Sequence, residues 1–409
     1  MASLLLSSPK PKFVGFGPSL LVRQTRRLLQ THDLPTDRME ARAMLHDQCP
    51  LTPGVYGWLD RNDQICYIGK SKSLRKRLLS YFAKTPADPK AGRIRKHSRR
   101  LVWEPMADEL LALIREQELI CRWRPDFNKQ GQPTRRQPAF VGITAGSAAN
   151  AKFVRRMTSG LSHAFGPIAG TGELRVAVNS LNQVFQLRDC PDKTPFSFNN
   201  QSTLFENPET AKCIRFELGT CPGPCASLCS KSRYRKNVDA AIDFLEGHDL
   251  SALGRLEHEM HEAAARQSYE RAVVLRDHFD QLTWLSRRLS DLRQSQKLLN
   301  GVLQVSATRD RTAWLVLKSG KLLGSAVAPD SPDRAESARS FLVQAAERSS
   351  PHAHTVLEMS LQLLIMAWFR RHPSSKKNLL SFDQAIQRCD GVISGDSRPA
   401  GPSPGPKAR

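Results

Sequence analysis

The chain of 409 residues is poor in aromatic side chains and in acid. Aromatics make up 7% of it, too few to suggest a stacking platform for the bases of a single strand. No apolar run approaches the roughly eighteen residues that a membrane-spanning helix requires. The opening Met1-Ala2-Ser3-Leu4-Leu5-Leu6-Ser7-Ser8-Pro9 has neither the basic flank nor the long apolar segment of a signal peptide. These absences lead to the expectation of a cytoplasmic protein with no membrane partner. Asp and Glu number 39 against 61 Lys and Arg, a formal excess of 22 positive charges. Such an excess favours binding to phosphate backbones through counterion release, without choice of sequence. Part of it is clustered in Arg93-Ile94-Arg95-Lys96-His97-Ser98-Arg99-Arg100.

Against this background, two tyrosines stand out. Tyr56 lies in Pro53-Gly54-Val55-Tyr56 and Tyr67 in Tyr67-Ile68-Gly69-Lys70, either side of Asp60-Arg61-Asn62-Asp63. The central run has the Asn and Asp residues that tolerate the conformations of a tight hairpin turn. In a two-stranded ribbon the tyrosines come near each other, with Lys70 just beyond the second strand. A nearby ammonium group favours the phenolate, so a phenol here is a proton acceptor in waiting. Next, Leu74, Leu78, Tyr81 and Phe82 recur at helical spacing, and Arg77 falls on or beside their face. An inward guanidinium needs a partner, and a scissile phosphate suits its fork. A second helix is expected from about Asp108 to Arg122, with Leu113, Glu116 and Ile120 on one stripe. A carboxylate in an apolar stripe is costly unless it is paired or binds a cation. Glu116 is therefore the candidate ligand for one divalent metal, Mg²⁺ or Mn²⁺.

Over residues 53–128 these motifs resemble the GIY-YIG nuclease module at the start of the UvrC family of excision-repair nucleases. The resemblance implies Tyr56 and Tyr67 near the attacking water, Lys70 and Arg77 by the phosphate, Tyr81 supporting them and Glu116 on the metal. Asn128 stands where modules of this type carry an asparagine. The implied fold is an α/β (α+β) module, a small antiparallel sheet flanked by helices. The implied chemistry is metal-assisted hydrolysis of a DNA phosphodiester. The residues leave open which tyrosine accepts the proton.

The nine cysteines are unevenly spread. Cys213, Cys221 and Cys225 read C-x7-C-x3-C, with Cys190 upstream and Cys229 downstream. Thiols this dense in a chain without a secretory signal favour a metal centre over disulfides. The spacing is not the paired C-x2-C of zinc ribbons, although zinc stays open. The family resemblance extends to Val184-Phe185-Gln186-Leu187-Arg188-Asp189-Cys190 and Gly223-Pro224-Cys225, and implies a four-iron, four-sulfur cluster on Cys190, Cys213, Cys221 and Cys225. The Cys190–Cys213 interval is longer here, filled by Pro191 to Thr210, and Cys229 is an alternative ligand. Cys49, Cys66, Cys121 and Cys389 read as ordinary buried or isolated thiols.

Downstream, a helix is expected over Tyr234 to Gly247, ending at its glycine. Two amphipathic segments follow, one carrying Leu253, Leu256, Met260, Ala263 and Ala264 and the other Ala272, Leu275, Phe279 and Leu282. The short break at Gln267-Ser268 folds them into an antiparallel hairpin. With Glu259 to Ala264 and Tyr269 to Ala272 they resemble the UVR motif, which implies docking onto UvrB and an indirect link to UvrA. Val302 to Val327 reads as strands, and 359–371 as a hydrophobic helix. After these, no aspartate-rich strand pattern suited to a two-metal site and no tandem helix-hairpin-helix are found, so the pattern is nearer the short homologue Cho.

The expected domains are an N-terminal extension over 1–49, partly helical around Leu20 to Leu29, and the nuclease over 50–130. A linker and cysteine region spans 131–235 and the helical hairpin 236–290. A small partial C-terminal domain covers 291–372, and 373–409 is a tail expected to be disordered. The expected function is a single nick 3′ to a lesion in a UvrB–DNA complex. A free-standing GIY-YIG nuclease of recombination or mobile elements, and a UvrB-binding regulator that does not cut, are the rivals.

Overall fold

The computed structural model describes residues 11–21, 29, 31–84, 89–128, 138–191, 193–199, 213–308, 311–347 and 355–395. The chain divides into two compact units, one of Met1–Arg135 with Gln296–Ser350 and Thr355–Arg409, the other chiefly Arg136–Ser295.

The first unit opens with β1 (Thr31–Asp33), α1 (Arg38–Gln48), β2 (Gly54–Leu59), β3 (Ile65–Ser71), α2 (Leu74–Ser80), α3 (Pro89–His97), β4 (Arg100–Pro105) and α4 (Glu109–Trp123). Its strands form an antiparallel sheet in the order β1-β4-β2-β3. The β2–β3 turn forms because the Asp60 carboxylate accepts from the backbone N–H groups of Asn62 and Gln64, and Asp63 takes a left-handed φ of 57°. Lys70 lies within β3, opposite Val55, rather than beyond the strand. Helix α4 starts where Asp108 caps the N–H of Leu110 and stops at Arg124, which has a φ of 46° and precedes Pro125.

The first 49 residues are not a mere extension. β1 pairs with β4, and Ala41 and Leu45 of α1 share a core with Tyr56, Trp58, Leu74, Leu78 and Tyr81. The helix expected around Leu20 to Leu29 falls mostly outside the described residues, and Leu20 and Leu21 themselves are not helical.

The second unit contains β5 (Ala139–Thr144), β6 (Ala151–Val154), β7 (Leu161–Ile168), α5 (Thr171–Val184), α6 (Ile214–Glu217), α7 (Lys231–Glu246), α8 (Ser251–Ala265) and α9 (Tyr269–Leu298). The expected linker is thus corrected from residue 138 onward to a three-stranded sheet, β6-β5-β7, packed with α5. β5 is buried on both faces and gives no alternation to read. Helix α7 ends at Gly247 with a φ of 76°. The α8–α9 hairpin turns at Arg266 to Ser268 and buries Leu256, Ala263, Leu275, Leu282, Leu285 and Leu289 in its own unit. Its tip still shows Tyr269, Val273 and Val274, at 66%, 44% and 53% exposure.

The chain then returns to the first unit with β8 (Gly301–Thr308), β9 (Arg311–Lys318), β10 (Lys321–Val327), α10 (Pro332–Glu347), α11 (Val356–Arg371), β11 (Leu379–Leu380) and α12 (Phe382–Ile393). The strands form a second antiparallel sheet, β10-β9-β8-β11. Two expectations are corrected here. Residues 373–393 are not a disordered tail, because β11 pairs with β8 and α12 buries Ala385 and Cys389 against α10. Nor is the C-terminal region separate, since Leu303, Leu315, Leu317, Leu361, Ile365 and Phe369 share one core with Leu110, Leu111, Ile114 and Leu119 of α4.

Candidate active site

Cross-strand register assembles the site. Tyr56 pairs with Gly69 and Trp58 with Tyr67, so the two tyrosines are diagonal neighbours on one face, with ring centroids 6.2 Å apart. The glycines beside them are steric requirements. A Cβ at Gly69 would lie 2.5 Å from the Tyr56 phenol, and one at Gly54 would lie 2.5 Å from the Glu104 carbonyl and 2.6 Å from Leu74 of α2.

Helix α2 delivers the next two groups. The Tyr81 and Tyr56 hydroxyls are 3.0 Å apart, and Arg77 Nε donates to the Tyr56 oxygen at 3.2 Å. Arg77 also lies 5.2 Å from the Tyr81 ring centre. From α4, the Glu116 carboxylate accepts a hydrogen bond from the Lys70 backbone N–H and lies close enough to raise the proton affinity of Tyr56 and Tyr67. Five of the seven residues named from sequence thus gather around Tyr56: that residue itself, Tyr67, Arg77, Tyr81 and Glu116.

The other two stand differently. The Lys70 ammonium lies at the rim, 3.4 Å from Glu109, which also binds Lys72 at 2.9 Å. Asn128 lies along the open edge of β3, where its Oδ1 accepts from the Ile68 N–H at 2.9 Å and its Nδ2 donates to the Ile68 carbonyl at 2.8 Å. Phe127 adds a bond to the Cys66 carbonyl. The segment therefore pins the strand that carries Tyr67. Sequence reasoning missed Glu109, whose only signal is its place in the first turn of α4 after the Asp108 cap. It also missed Lys90, whose ammonium is 4.8 Å from the Tyr67 ring centre.

The electrostatics favour a cation. Burial pushes the Glu116 carboxyl up to about 7, despite the lowering effect of the Lys70 charge and N–H. Burial also pushes up the phenols of Tyr56, Tyr67 and Tyr81, and the charge and hydrogen bond of Arg77 work against this at Tyr56. Burial alone would raise Glu109, but Lys72 and Lys70 outweigh it and hold that carboxyl low. A divalent cation beside Glu116 would favour its carboxylate and ease the loss of protons nearby. One carboxylate with water in the remaining positions suits Mg²⁺.

In the second unit the four cysteines named from sequence converge on one loop. Burial raises the Cys225 thiol, helped by Cys190 and Cys213, and burial raises Cys221, helped by Cys213 and Cys225. Cys229 is buried near Cys221 and Cys225 and is pushed up to about 11. Arg215 braces the loop, donating to the carbonyls of Asn182 and Thr220 at 3.1 and 2.6 Å. Within the described part of the long interval, Ser197 donates its N–H to the Pro224 carbonyl. Among the described residues, no three of these sulfurs lie within 4.8 Å of one another. A single zinc ion would draw its thiolates to roughly 3.8 Å apart. The set is wider than that.

A family model of the UvrC-like GIY-YIG domain matches residues 52–129, and one of the UvrC/Cho excinuclease middle domain matches residues 140–244. The chain belongs to the UvrC/Cho family. The UvrABC system protein C of Pseudomonas savastanoi pv. phaseolicola is 30% identical to it over 281 residues, 68% of this chain and 44% of that protein. That of Pseudomonas aeruginosa is 31% identical over 282 residues, with the same coverage. The chain thus spans less than half the length of these UvrC relatives. Among solved structures, the GIY-YIG N-terminal endonuclease domain of Thermotoga maritima UvrC, bound to its catalytic magnesium, is 34% identical. That match covers 21% of this chain and 93% of that domain, with a TM-score of 0.20. The UvrC/Cho middle-domain match runs from β5 into α7 and contains all four cysteines.

Proposed function

We propose that this UvrC/Cho-family chain is a metal-dependent DNA endonuclease that makes a single nick 3′ to a lesion, in a complex with UvrB and DNA. The observation that carries the reading is the gathering of Arg77, Tyr81, Tyr67 and Glu116 around Tyr56. A divalent cation held by Glu116, Mg²⁺ or Mn²⁺, supplies charge that acidifies water and offsets charge building on the phosphate. Tyr56, once it has given up its own proton to solvent, would accept the proton of the attacking water; the Arg77 N–H on its oxygen favours that phenolate against the burial that opposes it. Tyr81 fixes the Tyr56 hydroxyl, and Tyr67 bounds the position of the water. Water attacks phosphorus, the opposite P–O bond breaks in line, and the leaving oxygen takes a proton from solvent. The other N–H groups of Arg77 face the phosphate, and Lys70 binds a neighbouring one in exchange for Glu109.

The exposed Tyr269, Val273 and Val274 at the hairpin tip support docking onto UvrB, with UvrA acting upstream of that complex. The approach of Cys190, Cys213, Cys221 and Cys225 to one another supports a metal centre, which the family resemblance makes a four-iron, four-sulfur cluster. Iron and labile sulfide in anaerobically purified protein, lost in Cys221→Ser, would bear this out, and stoichiometric zinc would refute it.

The test is nicking of a duplex carrying one bulky adduct, with Mg²⁺, ATP, UvrA and UvrB. A single 3′-side cut that requires UvrB and disappears in Glu116→Gln is expected. Cutting without UvrB would replace this reading with a free-standing nuclease, and UvrB binding without any cut would replace it with a regulator.

A further inference from the structure

Residues Phe13 to Leu21 run as an extended strap along α4, and one side chain of that helix clasps it. Arg115 is 3% exposed, and each of its three guanidinium nitrogens donates a hydrogen bond. Nε donates to Glu104 at 2.9 Å, Nη1 to Glu118 at 3.0 Å and to the Pro18 carbonyl at 3.2 Å, and Nη2 to the Gly17 carbonyl at 2.9 Å. Glu118 in turn accepts from Ser19 Oγ at 2.5 Å and from the Leu20 N–H at 2.8 Å. One turn on, Arg122 donates to the carbonyls of Phe16 at 2.5 Å and Pro18 at 2.8 Å. The strap is anchored at both ends. The Phe13 N–H bonds the Asp63 carbonyl at 2.7 Å, and Ser325 of β10 donates to the Leu20 carbonyl at 3.1 Å. Phe16 is buried against Gly57, the residue after Tyr56.

At 3.6 residues per turn, Arg115, Glu118 and Arg122 share one stripe of α4. Glu109, Leu113, Glu116 and Ile120 share another, roughly 160° round the helix. The clasp therefore holds the back of the helix whose front presents Glu116. A side-chain carboxylate lies roughly 6 Å from the helix axis, so a roll of about 10° moves it by about 1 Å. Displacements of that size matter to a metal ligand and to catalysis. An apolar residue would fill the same space as Arg115 without fixing the roll, because dispersion contacts have no direction while five N–H donors do.

We propose that Arg115, through the strap of residues 13–21, is the positioning residue that sets the roll of α4 and so places the Glu116 carboxylate for its cation. The inference rests on the reading of Glu116 as the metal ligand. Its test is therefore Mn²⁺ binding to the full chain without DNA, followed by the paramagnetic resonance of free Mn²⁺, beside a thermal melt of each variant. Gly17→Ala changes no residue of α4 but strains the strap, since Gly17 has a φ of +72° and a Cβ there would displace the Arg122 guanidinium that bonds the Phe16 carbonyl. Arg115→Gln removes the clasp and leaves one amide donor. Both are expected to melt cooperatively and to bind Mn²⁺ about tenfold more weakly, with Ser19→Ala two- to threefold weaker. Should Arg115→Gln fail to fold, Gly17→Ala and Ser19→Ala decide. Wild-type affinity in the folded strap variants would overturn the inference while leaving Glu116 as ligand. Equal Mn²⁺ binding by wild type and Glu116→Gln would overturn the metal reading, and the inference with it.

Discussion

At the scale of single residues, the proposed function assigns the chemistry to Glu116 and Tyr56, and each has a consequence outside the nicking assay. The Glu116 carboxyl is raised by burial from its ordinary value near 4.5 to about 7. A group raised in the folded state contributes stability that is fully present below pH 4.5 and lost as pH climbs through 7. The metal-free protein should therefore weaken over that window, by on the order of 3 kcal/mol at most. Glu116→Gln should melt higher than wild type at pH 8 in EDTA and at the same temperature at pH 4; equal melting at pH 8 would contradict the burial argument. Binding of Mg²⁺ by wild type should strengthen with pH up to about 7 for the same reason. Tyr56→Phe deletes the oxygen shared by Arg77 and Tyr81. It should lower kcat by roughly 10² to 10⁴ with little change in DNA affinity, which a single-turnover assay at saturating protein reads directly. Most of these residues were legible in the sequence, because the hairpin turn, the helical spacing of Leu74 to Phe82 and the position of Glu116 are local patterns. The exact roles of Lys70 and Asn128 were not. Their partners, Glu109 and Ile68, lie 39 and 60 residues away and leave no local trace.

At the scale of elements, β3 is the edge of its sheet, and the strand that carries Tyr67 would be open to solvent there without Asn128. Asn128→Ala leaves the Ile68 N–H and carbonyl without their partners in a buried place. A loss of about 1–3 kcal/mol is expected, together with faster hydrogen exchange at the Ile68 amide. Unchanged exchange there would show that the asparagine acts elsewhere. The elements that escaped sequence reading share one physical property. β1 has three residues and β11 two, β5 is buried on both faces, and the strap has no regular repeat at all. Periodicity needs length and a solvent face, and these segments lack one or both. The hairpin of α8 and α9 was legible because its turn and its stripes are regular. Its second helix nevertheless runs to Leu298, beyond the boundary expected at 290.

At the scale of the whole molecule, the nuclease module and the C-terminal sheet share one core within the first unit. Ile365 and Leu361 of α11, each 1% exposed, pack with Leu111 and Ile114 of α4. Ile365→Ala should then cost about 2–5 kcal/mol and lower the denaturation midpoint of the nuclease sheet along with that of the C-terminal strands. Two separate transitions, with the nuclease one unmoved, would contradict a shared core. This long-range packing joins residues some 250 positions apart, and no composition or spacing announces it. In the proposed function, the cluster of Tyr56, Tyr67, Arg77, Tyr81 and Glu116 hydrolyses DNA when a divalent cation is bound at Glu116. The most direct test is cleavage of an adduct-bearing duplex by wild type and Glu116→Gln across a Mg²⁺ titration with UvrA, UvrB and ATP present. A nick 3′ to the adduct that saturates with Mg²⁺ in wild type and is absent in the variant at every concentration is predicted. Cleavage by Glu116→Gln at the wild-type rate would contradict the account.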